Sequence, residues 1–140
     1  METGMKMTRK DNMTTIFASW SHLDDKALSD LRSAAGDLSN PVEVCKVIPE
    51  RKDWMRVAKE YIDRSDCVIL ILTANSAASL HCKREVAYAA SIGKETLIWA
   101  PEIAPPTPDW ARNATWLREQ AIDAVQALTT TLMMLSRSLR

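Results

Sequence analysis

Glycine is scarce in this sequence: 3 of 140 residues, at Gly4, Gly36 and Gly93. Phosphate-cradling loops of the G-x-G-x-x-G and P-loop kinds need clustered glycines, because the backbone must approach the phosphate without a Cβ in the way. That clustering is missing. Histidine is scarcer, with His22 and His81 alone, so a histidine-rich zinc site is excluded. A mixed site from the adjacent His81 and Cys82 has poor ligand geometry, and no metal is expected. The three cysteines, Cys45, Cys67 and Cys82, are odd in number and contain no C-x-x-C. Two of them fall in apolar runs, and buried reduced thiols are the plain reading. There is no excess of charge: 18 Lys and Arg balance 18 Asp and Glu. A dedicated nucleic-acid binder usually carries a basic face, so nucleic acid is not an expected partner. The longest wholly apolar run, residues 67–72, is too short to span a bilayer. Residues 1–14 are polar and lack the apolar segment of a signal peptide. A cytoplasmic protein without membrane contact is therefore expected.

What is present is ordinary globular composition, 46% apolar and 26% charged. The length allows one domain with a sizeable core. Residues 1–14 read as a loose tail and 15–140 as the domain. Residues 15–20 are rich in β-branched and aromatic types and read as a strand. Asp24 or Asp25 then caps a helix to about Ala35, with Leu28, Leu31 and Ala35 at helical spacing and Gly36 in the C-cap place. Residues 42–48 form a second strand; its charges and the flanking Pro41 and Pro49 suit a sheet edge. Asp53 caps the clearest helix, where Trp54, Val57, Ala58, Tyr61 and Ile62 make one stripe. Residues 67–73 are apolar without alternation, as in a strand covered on both faces. Ser76 or Ser79 caps a helix over 80–92, Gly93 closes it, and residues 96–100 form a fourth strand. After a proline-rich loop come a short strand near 114–117 and a long helix to about 136. Alternating strands and helices imply an α/β fold: a flavodoxin-like three-layer sandwich, parallel sheet order 2-1-3-4(-5), helices on both faces.

Such sheets bind ligands beyond the carboxyl ends of their strands, where the winding reverses. Here that point lies between strands one and three. Ser19, Trp20, Ser21 and His22 frame it on one side, with Thr73, Asn75, Ser76 and Ser79 on the other. These groups can hydrogen-bond and stack on a sugar or base; serines and asparagine there also serve as turn formers and caps, and both readings stand. Glu85 lies in the second turn of the third helix, with His81 four residues earlier on the same face. Val86 continues the buried stripe of Cys82 and Ala89, which puts Glu85 at the border of core and crevice. A solvated face is the alternative for this glutamate, and Lys83 and Arg84 beside it fit that picture.

The run IDRSDCVILILTANS (62–76), followed by SLHCKREVAYAASIGK (79–94), resembles a TIR or TIR-like domain. IFASWSHLDD (16–25) resembles the first strand and loop of that family, and WMRVAKEYI (54–62) is similar to the TIR-like branch of bacterial Thoeris anti-phage defence. The resemblance covers about residues 15–100. It implies cleavage of NAD⁺ at the nicotinamide–ribose bond, yielding ADP-ribose or a cyclised product as a signal, with NAD⁺ as substrate and no further cofactor. It places the essential glutamate at Glu85 as catalytic residue. Ser19, Trp20, Ser21, His22, Asn75, Ser76, Ser79 and His81 are the expected binding residues. Many members carry Trp where this chain has His81. The family's loop after the second strand, often an assembly element, corresponds to residues 49–53, which a solvated charge cluster explains equally. Expected partners are a second copy, another TIR protein or an effector protein. The last helix, with Leu128, Leu132, Met133 and Leu135, offers another contact face or simple packing.

The chemistry agrees with one carboxylate. Nicotinamide leaves as a neutral ring, so no general acid is needed, whereas ordinary glycosidases need two carboxylates. One desolvated carboxylate can stabilise the ribosyl cation. Trp20 or Trp54 could stack on a base, though the stripe of Trp54 favours the core. Two alternatives stay open: a non-enzymatic TIR interaction module, and a nucleoside deoxyribosyltransferase-like enzyme, whose D-S-G-T-like stretch is missing at residues 77–80.

Overall fold

The computed structural model describes residues 15–36, 43–46, 52–101 and 105–116. The expected tail over 1–14, most of the loop at 49–53 and the last helix over 117–136 lie outside the described residues. The elements in chain order are β1 (Thr15–Ser19), α1 (Asp25–Gly36), β2 (Glu43–Cys45), α2 (Trp54–Arg64), β3 (Cys67–Ile71), the single turn α3 (Ala74–Ala77), α4 (Leu80–Ser91) and β4 (Thr96–Trp99). A 3₁₀ turn (Asp109–Ala111) and β5 (Thr115–Trp116) follow. Every strand pairing is parallel, and the sheet order is β2-β1-β3-β4-β5. This is the flavodoxin-like arrangement, with β2 at one edge and β3 at the centre. Among the described residues no helix is long and apolar enough to cross a membrane.

Strand periodicity builds the layers. Successive side chains point to opposite faces of a sheet. In β1 and the residue after it, Ile16, Ala18 and Trp20 pack with Ala27, Leu28, Leu31, Ala34 and Ala35 of α1. Cys67, Ile69 and Ile71 of β3 and Leu97 and Trp99 of β4 join the same cluster. The intervening residues face the other way: Phe17 and Val68 meet Val57, Ala58 and Ile62 of α2 and Ala89 of α4. Leu70, Leu72 and Ile98 meet Cys82 and Val86 of α4. All five residues of β3 are buried, which is why that strand shows no polar alternation. At ~1.5–3 kcal/mol for each large apolar side chain removed from water, β3 is the main apolar anchor of the sheet.

Several expected boundaries shift. The described strands end a residue or more early, although Trp20, Leu72 and Ala100 beyond them stay buried and the Leu72 N–H still donates to the Trp99 carbonyl at 2.9 Å. Ser79, rather than Ser76, caps α4, its side chain accepting from the Cys82 N–H at 3.2 Å. Ser76 instead belongs to the short α3, in a reciprocal capping box with Thr73. Asp53 occupies the N-cap position of α2 but makes no side-chain cap bond there; its carboxylate meets Arg56 at 2.6 Å. Of the two helix-closing glycines, only Gly93 has the left-handed backbone of a C-terminal cap, at φ 74.

Candidate functional site

β1 and β3 lie side by side, with Ser19 in register with Leu70, so their carboxyl ends open at one place. The chain passes from β1 outward to β2 and then back across to β3, making this the point where the winding reverses. Ser19 is the last residue of β1, and alternation turns it to the α2/α4 face. There its Oγ donates a 2.8 Å hydrogen bond to Glu85 Oε1 of α4. Both residues are buried, Ser19 at 0% and Glu85 at 5% exposure. The solvated-face alternative for Glu85 is thereby removed.

Burial is the larger influence on this carboxyl. It pushes the Glu85 pKa up to about 8, and the Ser19 hydrogen bond acts in the opposite direction. No lysine or arginine among the described residues forms an ion pair with Glu85. Cys82, one turn earlier and fully buried, is raised to about 11 by burial and by the nearby Glu85 charge, while the Ser19 and Ser79 hydroxyls pull it down. The thiol is therefore neutral and not a nucleophile at ordinary pH. Cys67 is pushed up to about 12 by burial, and burial raises Cys45 as well.

The remaining expected site residues divide. Asn75 lies at the mouth, exposed, and its Nδ2 donates to Asp24 Oδ1 at 3.1 Å. Thr73 Oγ1 donates to the other oxygen of the same carboxylate at 2.6 Å. Asp24 thus ties the β1–α1 loop to the β3–α3 loop across the switch point. The sequence pattern marks Asp24 only as a cap, since nothing in the spacing reveals a partner 49 residues away. Ser21 is buried and accepts from the Leu23 N–H at 3.2 Å, a turn-forming role. Ser76 and Ser79 are committed to caps. His22 is exposed. His81 is half-buried, its ring edge-on to Trp54 with centroids 4.4 Å apart.

Trp20 is not brought to Glu85. It follows Ser19 and points to the opposite face of the sheet, into the α1 cluster, with the Lys46 ammonium 5.4 Å from its ring centroid. Its indole N–H is buried without a hydrogen-bond partner among the described residues. A hollow of about 370 Å³ lined by Asp25, Leu28, Ser29, Arg32 and Ser33 runs along α1. Because α1 covers the face away from Glu85, this hollow is not part of the same site. Among the described residues no group of three or more His, Cys, Asp or Glu could hold a metal ion.

No protein-family model and no curated protein matches the chain. Solved structures do match. One is a crystal structure from Salmonella typhimurium LT2 of a protein named for a proposed sugar-binding role, 19% identical with a TM-score of 0.52. The match covers 96% of this chain and 40% of that one, so the chain spans less than half the neighbour's length. At that identity the likeness shows the fold alone.

Proposed function

We propose that this chain is a TIR-like enzyme that cleaves NAD⁺ at the nicotinamide–ribose bond, with Glu85 as the catalytic carboxylate. The observation that carries the reading is a buried carboxyl at the sheet's switch point with no cationic partner among the described residues. A carboxyl so placed is costly to ionise alone and is a candidate for a functional role. NAD⁺ brings the missing charge. Its pyridinium ring is cationic before cleavage, and the ribose becomes cationic during it. Either charge beside Glu85 favours the ionised carboxylate and offsets the burial that otherwise keeps it protonated.

The step balances simply. The glycosidic C–N bond breaks and its electron pair leaves with neutral nicotinamide. Water adds to the ribosyl C1′ and releases a proton; in a cyclising variant a ring nitrogen or hydroxyl of the same molecule takes the place of water. Glu85 supplies negative charge where positive charge grows, an electrostatic contribution that strengthens where water is excluded. His81 lies one turn ahead of Glu85 with Trp54 edge-on to it, which supplies ring surface where many TIR enzymes carry a tryptophan. The product would be ADP-ribose or a cyclised form acting as a signal to an effector protein, in keeping with a role in anti-phage defence.

The test is incubation of the purified protein with NAD⁺ and mass analysis of the products, beside Glu85→Gln. The parent should release nicotinamide, and Glu85→Gln, which keeps the shape and removes the charge, should be slower by ~10²–10³. Full activity in Glu85→Gln rejects the assignment. Nucleobase exchange on simple nucleosides, without NAD⁺ cleavage, would favour a deoxyribosyltransferase-like enzyme instead.

A further inference from the structure

We propose that Ser19 is a positioning residue for Glu85, fixing which carboxylate oxygen faces the reacting centre, and does not itself contact substrate. The proposal rests on the reading of Glu85 as the reacting carboxylate, and it moves Ser19 from substrate binding to support. The geometry is specific. Ser19 is fully buried, and its hydroxyl hydrogen is committed to Oε1 at 2.8 Å, from a different element and 66 residues away in sequence. With Oε1 engaged, Oε2 is the oxygen left for a cation. The hydroxyl sits at the end of a central strand, so its direction is set by the sheet ladder rather than by a loop. A carboxylate anchored this way needs no reorientation when charge develops, which is what electrostatic preorganisation requires.

Ser19 also has a charge-selecting role. A hydroxyl that donates to a carboxylate favours the ionised form, here against the burial that opposes it. The groups around Glu85 support this division of labour. On its own helix, Cys82 is held neutral, with the same Ser19 hydroxyl bearing on it. From the β1–α1 loop, Asp24 adds negative charge near Cys82 and engages Thr73 and Asn75. From β3, the residue in register with Ser19 is Leu70, and the α2 residues packed in this layer are Val57, Ala58 and Ile62, with Trp54 and the Tyr61 phenol partly buried against them. Ser19 is therefore the one described group whose hydrogen bond favours Glu85 as an anion.

The experiment compares the full chain with Ser19→Ala, and Ser19→Thr with Ser19→Val, a nearly isosteric pair that differs by the hydroxyl. The Glu85 side-chain carboxyl is followed by carbon NMR against pH, identified by its loss in Glu85→Gln, and NAD⁺ turnover is measured over the same range. Loss of the hydroxyl should raise the Glu85 midpoint by about one pH unit or more. The rising limb of the kcat/KM profile, which reports the free protein, should move with it, and kcat/KM near neutral pH should fall about tenfold or more. Ser19→Thr should retain the parent midpoint. An unmoved or lowered midpoint in Ser19→Ala, or Thr and Val variants that titrate alike, overturns the proposal. A raised midpoint in a chain that does not cleave NAD⁺ upholds the Ser19–Glu85 pairing and overturns the reading of the reaction.

Discussion

Glu85 has been taken out of water by folding without receiving a cation among the described residues, and its thermodynamics follow from that. Its ordinary pKa of 4.5 rises to about 8 in the folded chain. Between those values the unfolded chain has lost the proton while the folded chain keeps it. The native state then binds more protons than the unfolded state, and stability falls as pH rises. The slope is at most about 1.4 kcal/mol per pH unit, fully developed only inside the window. Below about pH 4.5 both states are protonated, and above about 8 both are ionised, so the loss levels off. Glu85→Gln is neutral throughout. It should therefore melt progressively higher than the parent as buffers go from pH 5 to pH 8, with a flat difference beyond. Melting curves whose difference does not change with pH would show that Glu85 is not buried as described. The same group gives catalysis the opposite trend, since only the carboxylate stabilises a ribosyl cation: kcat/KM, which reports the free protein, should rise toward about pH 8. Stability and activity pulling apart at one residue is the expected pattern for a functional site.

At the scale of elements, the site is a product of how strand ends meet. β1 delivers Ser19 to one face and Trp20 to the other because side chains alternate, so two neighbouring residues in sequence serve different layers. The two loops at the mouth are joined by Asp24, whose carboxylate accepts from both Thr73 and Asn75. Asp24 also begins α1, with its carbonyl accepting from the Leu28 N–H at 3.3 Å. Removing that carboxylate leaves the Thr73 hydroxyl with its capping role in α3 but without its strongest partner. Asp24→Ala should cost about 1–2 kcal/mol, since hydrogen bonds to a charged group exceed neutral ones and this carboxylate is only half-buried. Asp24→Asn, which keeps an acceptor for Thr73, should cost less. Chemical denaturation of the three proteins measures this, and an Asp24→Ala variant as stable as the parent would show the bridge to be incidental. A sheet-end site whose two loops are cross-linked this way gains rigidity from elements distant in sequence, which suits a carboxylate that must not reorient.

At the scale of the whole molecule, the three layers leave the thiols unreactive. Cys67 and Cys82 are buried, on opposite faces of the sheet, and Cys45 is half-buried at the β2 edge, its S–H donating to the Ile16 carbonyl at 3.5 Å. Burial raises all three above the ordinary thiol range. In the native protein near pH 8, a water-soluble disulfide reagent should label Cys45 first and slowly. Cys67 and Cys82 should be labelled only as fast as the sheet opens, so their rate reports unfolding. Rapid labelling of all three without denaturant contradicts the packing described.

The layered order of the chain was legible in its residues. The uniform apolar run 67–72 had to be a covered central strand, and the charged, proline-fenced stretch around Glu43 had to be an edge, because side-chain burial decides which strand tolerates charge. The periodic stripes of α1, α2 and α4 likewise assigned their inward faces, whereas Glu85, beside Val86 at the border of the stripe, fitted a solvated face as well, and its burial came only with the fold. Local pattern could not settle which polar groups meet. Asp53 and Ser76 read equally well as caps of the helices that follow them, yet one joins Arg56 and the other closes an extra turn. The meeting of Ser19 with Glu85, the bridge from Asp24 to Thr73 and Asn75, and the separation of Trp20 from the site all depend on which strand lies beside which and on where each ends. Periodicity along a chain records how a residue faces the core; a hydrogen bond across 49 or 66 residues exists only once the sheet has brought both ends together.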